Sequence, residues 1–186
     1  MIFSIFQNIP FLKRLIPSIV KRYAIYFNDY NREFLFEEII FNLDIRHLID
    51  RSFYISRTYE EANFNTLKQS ISRDGIEYFF DVGACWGIYS LRFAKKFPDI
   101  NIVAIDPIKN NVARLKNSLK KNNLNNIDVV HSAVGDIEGT VKLGSESESS
   151  PNYGINHQNS AISEISPINT LDNLYDYKER SIAMKI

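Results

Sequence analysis

Asp81-Val82-Gly83-Ala84-Cys85-Trp86-Gly87 follows the apolar run Ile76 to Phe80 and precedes a helical pattern from Ile88 to Phe97. Strand, glycine turn and helix are the parts of a nucleotide-binding βα corner. Gly83 allows backbone to approach a ligand closely, and Gly87 allows the helix to start beneath it. Some twenty residues on, the apolar run Ile102-Val103-Ala104-Ile105 ends at Asp106. A carboxylate at that place can accept hydrogen bonds from both hydroxyls of a ribose.

The glycine spacing narrows the ligand. The dinucleotide fingerprint G-x-G-x-x-G is not present, which disfavours a nicotinamide-dependent oxidoreductase. The chain has D-x-G-x-x-x-G instead, with its acid at the end of the strand. That pattern suits a ligand with a cationic amino-acid tail and no pyrophosphate, which describes S-adenosylmethionine. The plainer alternative is an ordinary glycine turn between strand and helix.

The 186 residues suffice for one domain with its own core, or a domain plus an extension. Lys plus Arg number 22 and Asp plus Glu 22, so no global field favours nucleic acid. The single cysteine, Cys85, excludes an internal disulfide and a cysteine-cage metal site, and fits a reducing cytoplasm. The N-terminus is apolar (Ile2, Phe3, Ile5, Phe6, Ile9, Phe11, Leu12), but Lys13 and Arg14 interrupt it and Pro10 and Pro17 break it. It is too short to span a membrane and lacks signal-peptide order. With Lys13, Arg14, Lys21 and Arg22 it either packs on the domain as a helix or lies on a membrane surface.

Residues 1–57 read as a mostly helical N-terminal extension, with Phe34, Leu35, Ile39, Ile40, Leu43, Leu48 and Ile49 at helical spacings. Thr58 and Glu61 form a capping-box signal. Ala62, Phe64, Leu67 and Ile71 follow as an apolar stripe, and Asp74-Gly75 ends that helix. From Glu77 strand and helix alternate, which predicts a parallel sheet. The strands fall near 77–82, 101–105 and 127–131, with helices near 86–96 and 109–121. Gly135 to Leu143 reads as a hairpin or edge strand, Ser145 to Ser160 as a mobile polar loop, and Ala161 to Pro167 as a strand. Leu171 to Tyr175 reads as a short helix, and Ile182 to Ile186 as the start of another strand.

Four ordered segments carry a family likeness. Phe80-Asp81-Val82-Gly83-Ala84-Cys85-Trp86-Gly87-Ile88-Tyr89-Ser90 comes first, then Asp106-Pro107 with Asn111, Leu115 and Asn117-Ser118-Leu119. Ala133-Val134-Gly135-Asp136-Ile137-Glu138-Gly139 and Thr170-Leu171-Asp172-Asn173-Leu174 follow. Over residues 58–186 these segments resemble the FkbM family of S-adenosylmethionine-dependent methyltransferases, with Cys85 where that family usually has Asn. The resemblance implies a class I methyltransferase fold, an α/β Rossmann-like parallel sheet, over 58–186. It implies transfer of a methyl group to a hydroxyl of a sugar or secondary metabolite, with a small-molecule or glycan acceptor. In the family the strand that starts like Ala183-Met184-Lys185-Ile186 continues into D-V-E-G-x-E. The expectation is therefore a methyltransferase domain incomplete at its C-terminus, holding the first four of seven strands; a non-catalytic cofactor-binding fragment or an inactive product is the alternative.

Under this reading Asp81 orients the cofactor's amino-acid tail; otherwise it caps the next helix. Gly83, Ala84 and Gly87 form the cradle, and Ser90 reaches the cofactor. Asp106 holds the ribose, or is a surface acid before a proline. Ser132 and Ala133 lie where the adenine packs. Tyr89 is expected in the core, and Trp86 either lines the pocket or packs. Cys85, near a helix start that can lower a thiol pKa, is a passive contact. His131 is a base or a structural histidine; His47, His131 and His157 lack metal-ligand spacing.

Overall fold

In a computed structural model the structure describes residues 10–145, 154–155, 162–176 and 179–186. The apolar residues 2–9, His157 and most of the polar stretch 145–160, expected to be a mobile loop, lie outside the described residues.

The Rossmann-like parallel sheet is present. Its strands are β3 (Tyr78–Val82), β4 (Asn101–Asp106), β5 (Ile127–His131) and β10 (Ile182–Lys185), in the order β10-β3-β4-β5 and all parallel. Helix α4 (Ile88–Lys96) joins β3 to β4, and α5 (Lys109–Asn122) joins β4 to β5. The three expected strands and two helices are all found, within two residues of the predicted ends. Strands buried on both faces tolerate unbroken apolar runs, and Phe79, Phe80, Ile102, Val103, Ala104 and Ile105 are all buried.

The N-terminal region departs from its expected helical reading. Helices α1 (Pro10–Tyr26) and α2 (Leu48–Ser56) flank an antiparallel hairpin, β1 (Asn31–Phe36) and β2 (Ile39–Asp44). The apolar residues fit a period of two as well as one of three or four: Phe34, Ile39, Phe41 and Leu43 are buried while Leu35 is exposed. Glu37 and Glu38 make the two-residue turn with φ of 48° and 60°, a geometry usually signalled by Asn-Gly. Arg92, only 4 % exposed, donates to both Glu37 oxygens at 2.9 Å and to Glu61 at 3.1 and 2.9 Å. Its guanidinium also lies 3.6 Å from the centre of the Phe64 ring. This buried, fully paired cation pins the strained turn to α4.

Side chains of α5 close the edge of β2. Asn122 accepts from Ile40 N and donates to Ile40 O, both at 2.8 Å, and Arg114 donates to Asn42 O at 2.8 Å. Arg114 also pairs with buried Asp50 on α2. Phe41 and Phe53 then pack on Trp86 with ring centres 5.6 and 5.4 Å apart. One apolar cluster thus includes residues on both sides of position 57.

Two local expectations fail. Pro17 does not end α1, which runs through it at the expense of a backbone hydrogen bond. Thr58 does not cap α3 (Glu61–Asp74): the N-cap is Glu60, and Glu61 is engaged by Arg92. Gly75 does end α3, in the left-handed conformation. β7 (Gly139–Ser145) and β9 (Ile162–Asn169) pair antiparallel in a second sheet of order β6-β9-β7-β8, with β6 (Ala133–Val134) and β8 (Gly154–Ile155). A short α6 (Leu171–Leu174) precedes β10.

Candidate cofactor site

The carboxyl ends of β3 and β10 meet where the connections diverge, β4 lying on one side of β3 and β10 on the other. Such a switch point leaves a crevice above the strand ends. Gly83 N and Ala84 N both donate to Ile105 O, at 2.9 and 3.0 Å, folding the turn back over β4. Gly83, Cys85 and Gly87 all have positive φ, 70°, 53° and 89°.

The two glycines do different work. A Cβ on Gly83 would meet nothing within 4 Å, so its surface is open to a ligand. A Cβ on Gly87 would lie 2.2 Å from Leu115 Cδ1, so Gly87 lets the start of α4 approach α5.

Asp81, 1 % exposed, ends β3 beneath this turn. Its Oδ2 accepts from Ser90 N at 3.2 Å and Ser90 Oγ at 2.6 Å, so it caps the first turn of α4 from the strand. Its Oδ1 accepts no hydrogen bond among the described residues and faces Lys185 Nζ at 3.3 Å. Burial holds the Asp81 pKa above the usual carboxylate range, with Lys185 and Ser90 opposing that shift.

Asp106, 5 % exposed, is the clamp of the loop. Its Oδ2 accepts from Cys85 N at 2.8 Å; its Oδ1 accepts from Ile108 N at 2.9 Å and Asn111 Nδ2 at 3.0 Å. Three of roughly four acceptor positions on a carboxylate are used. Burial raises its pKa too.

Ser132 and Ala133 link the two sheets. Ser132 N donates to Asp106 O at 3.2 Å, and its Oγ accepts from Asn169 Nδ2 at 2.9 Å. Ala133, in β6, pairs with Ile168 of β9. His131 Nε2 lies 2.9 Å from Pro107 O and 3.6 Å from Glu164 Oε1. The ring is engaged by the turn between β4 and α5 and by β9.

Cys85 does not show the lowered pKa that a helix start can give a thiol. Burial, then Asp50 and Asp106, push its pKa up to about 12. Trp86 is in the core, and its Nε1 has no hydrogen-bond partner among the described residues. Tyr89 is buried and donates to Glu60 Oε2 at 2.8 Å.

Lys185 is the site residue that the sequence did not mark. Its signal was its place at the end of a strand expected beside β3. It lies 5.6 Å from the Tyr89 ring centre, and a cleft of about 320 Å³ opens there beside Glu60, Asn63 and Leu67. The residues suit a zwitterionic amino-acid tail: a buried carboxylate oxygen without a hydrogen bond, an ammonium beside it, and an open glycine above.

No protein-family model and no curated protein match the chain. Among solved structures it is similar to M. jannaschii TYW2 in complex with AdoMet, at 19% identity and TM-score 0.41 over 54% of this chain and 42% of that one. It is similar to a SAM-dependent methyltransferase from Agrobacterium tumefaciens at 12% identity and TM-score 0.42, over 56% and 33%. It is also similar to coclaurine N-methyltransferase bound to N-methylheliamine and SAH, at 22% identity and TM-score 0.34, over 40% and 23%. The matched regions span less than half of each of these proteins.

Proposed function

We propose that this chain is the cofactor-binding part of an S-adenosylmethionine-dependent methyltransferase that acts on a hydroxyl of a sugar or secondary metabolite. The single observation that carries the cofactor is Asp81: a buried carboxylate beneath an open glycine turn, one oxygen spent on α4 and the other beside Lys185 but without a hydrogen bond among the described residues. The acceptor class and the cytoplasmic setting rest on the four FkbM-like segments and the lone cysteine.

When bound, S-adenosylmethionine supplies the electrophile, a methyl group on a sulfonium. Asp81 and Lys185 offer opposite charges to the ammonium and carboxylate of its tail. Gly83 and Ala84 give backbone access, while Gly87 and Ser90 hold the helix start in place. Asp106 has one acceptor position left for a ribose hydroxyl, and its other bonds fix the loop before the ligand arrives. Such preorganisation lowers the entropic cost of positioning. Ser132 and Ala133 form the floor on the adenine side.

Calorimetry tests the reading. S-adenosylhomocysteine should bind more tightly than NAD, and tighter NAD binding would overturn the assignment. Asp106→Asn should weaken binding by about 1–3 kcal/mol, the scale for a hydrogen bond to a charged group. Lys109→Ala, at the exposed start of α5, should leave it unchanged.

A further inference from the structure

Among its described side chains, helix α1 is held to the body by one face. Ala24 is buried at 1 %, and Val20 packs against the main core. The opposite face carries Leu15, Ile19, Tyr23 and Tyr26, which are 39, 55, 57 and 82 % exposed. By the 3.6-residue repeat this stripe is centred about 140° around the helix from Ala24. Phe27, 57 % exposed, extends it, its ring centre 4.5 Å from Tyr23 and 4.9 Å from Tyr26. The expected packing on the domain therefore uses Ala24 and Val20 and leaves the aromatic stripe in water.

The charge in this segment of the sequence is of one sign. Lys13, Arg14, Lys21 and Arg22 lie in α1, and residues 1–28 contain no Asp or Glu, in a chain whose totals are 22 and 22. Among the described residues no helix is long and apolar enough to cross a membrane. A helix with an outward apolar face, tyrosines and only basic charge suits the headgroup region of an anionic bilayer.

We propose that α1 docks the protein on an anionic membrane surface. The Leu15–Ile19–Tyr23–Tyr26 stripe enters the boundary between headgroups and acyl chains, and the exposed Arg22, beside the stripe, faces the lipid phosphates, while Lys21 is turned toward the body near Arg51. The rest of the fold then sits at the membrane surface.

Vesicle flotation of the full chain is the test. It should float with phosphatidylcholine vesicles containing phosphatidylglycerol, and hardly with phosphatidylcholine alone. Replacing Arg22 by Gln should weaken binding about fivefold, the scale for one cation at an anionic surface. Ile19→Ser with Tyr23→Ser should abolish flotation while leaving the thermal melt intact, because both side chains are exposed. Absence of flotation with the anionic vesicles, equal flotation with both compositions, or undiminished flotation of the Ser variant overturns the proposal. So does a lipid-free dimer that the Ser variant converts to monomer, which would make the stripe a contact between two copies of the chain.

Discussion

The two faces of the central sheet are built from alternate residues of the same strands, yet they are covered differently. Phe79, Ile102 and Ala104 enter a core shared with the hairpin, α2, α3, α4 and α5. Phe80, Val103 and Ile105 enter a smaller cluster, ringed by partly buried Tyr78, Leu171, Leu174, Tyr175 and Met184. On the first face Phe53 touches the rings of Phe34, Phe36, Phe41 and Trp86. On the second, Phe80 meets Tyr78 and Tyr175 at the edge of the cluster. Alternation along a strand supplies two apolar faces. How much each contributes depends on the layer placed over it.

The largest test of this asymmetry is Phe53→Ala. It empties the aromatic hub of the first face and should cost about 3–5 kcal/mol in denaturant unfolding. A loss no greater than that of a second-face substitution would break the comparison. Next come the two glycines. Gly87→Ala should cost about 2–4 kcal/mol, combining left-handed strain with the clash against Leu115. Gly83→Ala should cost only about 1–2 kcal/mol, for the backbone alone, but should reduce S-adenosylhomocysteine affinity. Equal stability losses would mean that Leu115 gives way; unchanged affinity would remove Gly83 from the cradle.

On the second face, Met184→Ala should cost about 1 kcal/mol, because the side chain is already partly in water. A loss as large as that of Phe53→Ala would show that this face is as important as the first. The smallest effect concerns Asp81, at the end of the first face, where it meets Ser90 of α4. Burial raises its folded pKa, so the folded state holds the proton more tightly than the unfolded chain does. The stability that protonated Asp81 contributes is present below its unfolded value of about 4 and is lost as pH rises through the higher folded value. Wild-type Tm should therefore fall relative to that of Asp81→Asn between acid and neutral pH. A constant difference would show that Lys185 and Ser90 fully offset the burial.

The parallel sheet was legible because its signals are local. Apolar runs, the turn Asp81 to Gly87, and the stop at Pro98 each depend on neighbours within a few residues. Asp81 and Asp106 were legible as strand-end acids for the same reason. The hairpin was not. Glu37-Glu38 carries no turn signature, and Phe34 through Leu43 fit two periodicities. Arg92, fifty-five residues along, decides between them by pairing with Glu37. Lys185 next to Asp81, the use of three acceptor positions on Asp106, the high thiol pKa of Cys85 and the packing of Gly87 on Leu115 likewise depend on long-range contacts. Sequence by itself determined which segments prefer strand, turn or helix, since that preference is a property of adjacent residues. Only the tertiary structure decided which charges are buried together and which apolar faces are covered, because desolvation and pairing depend on what the fold brings alongside.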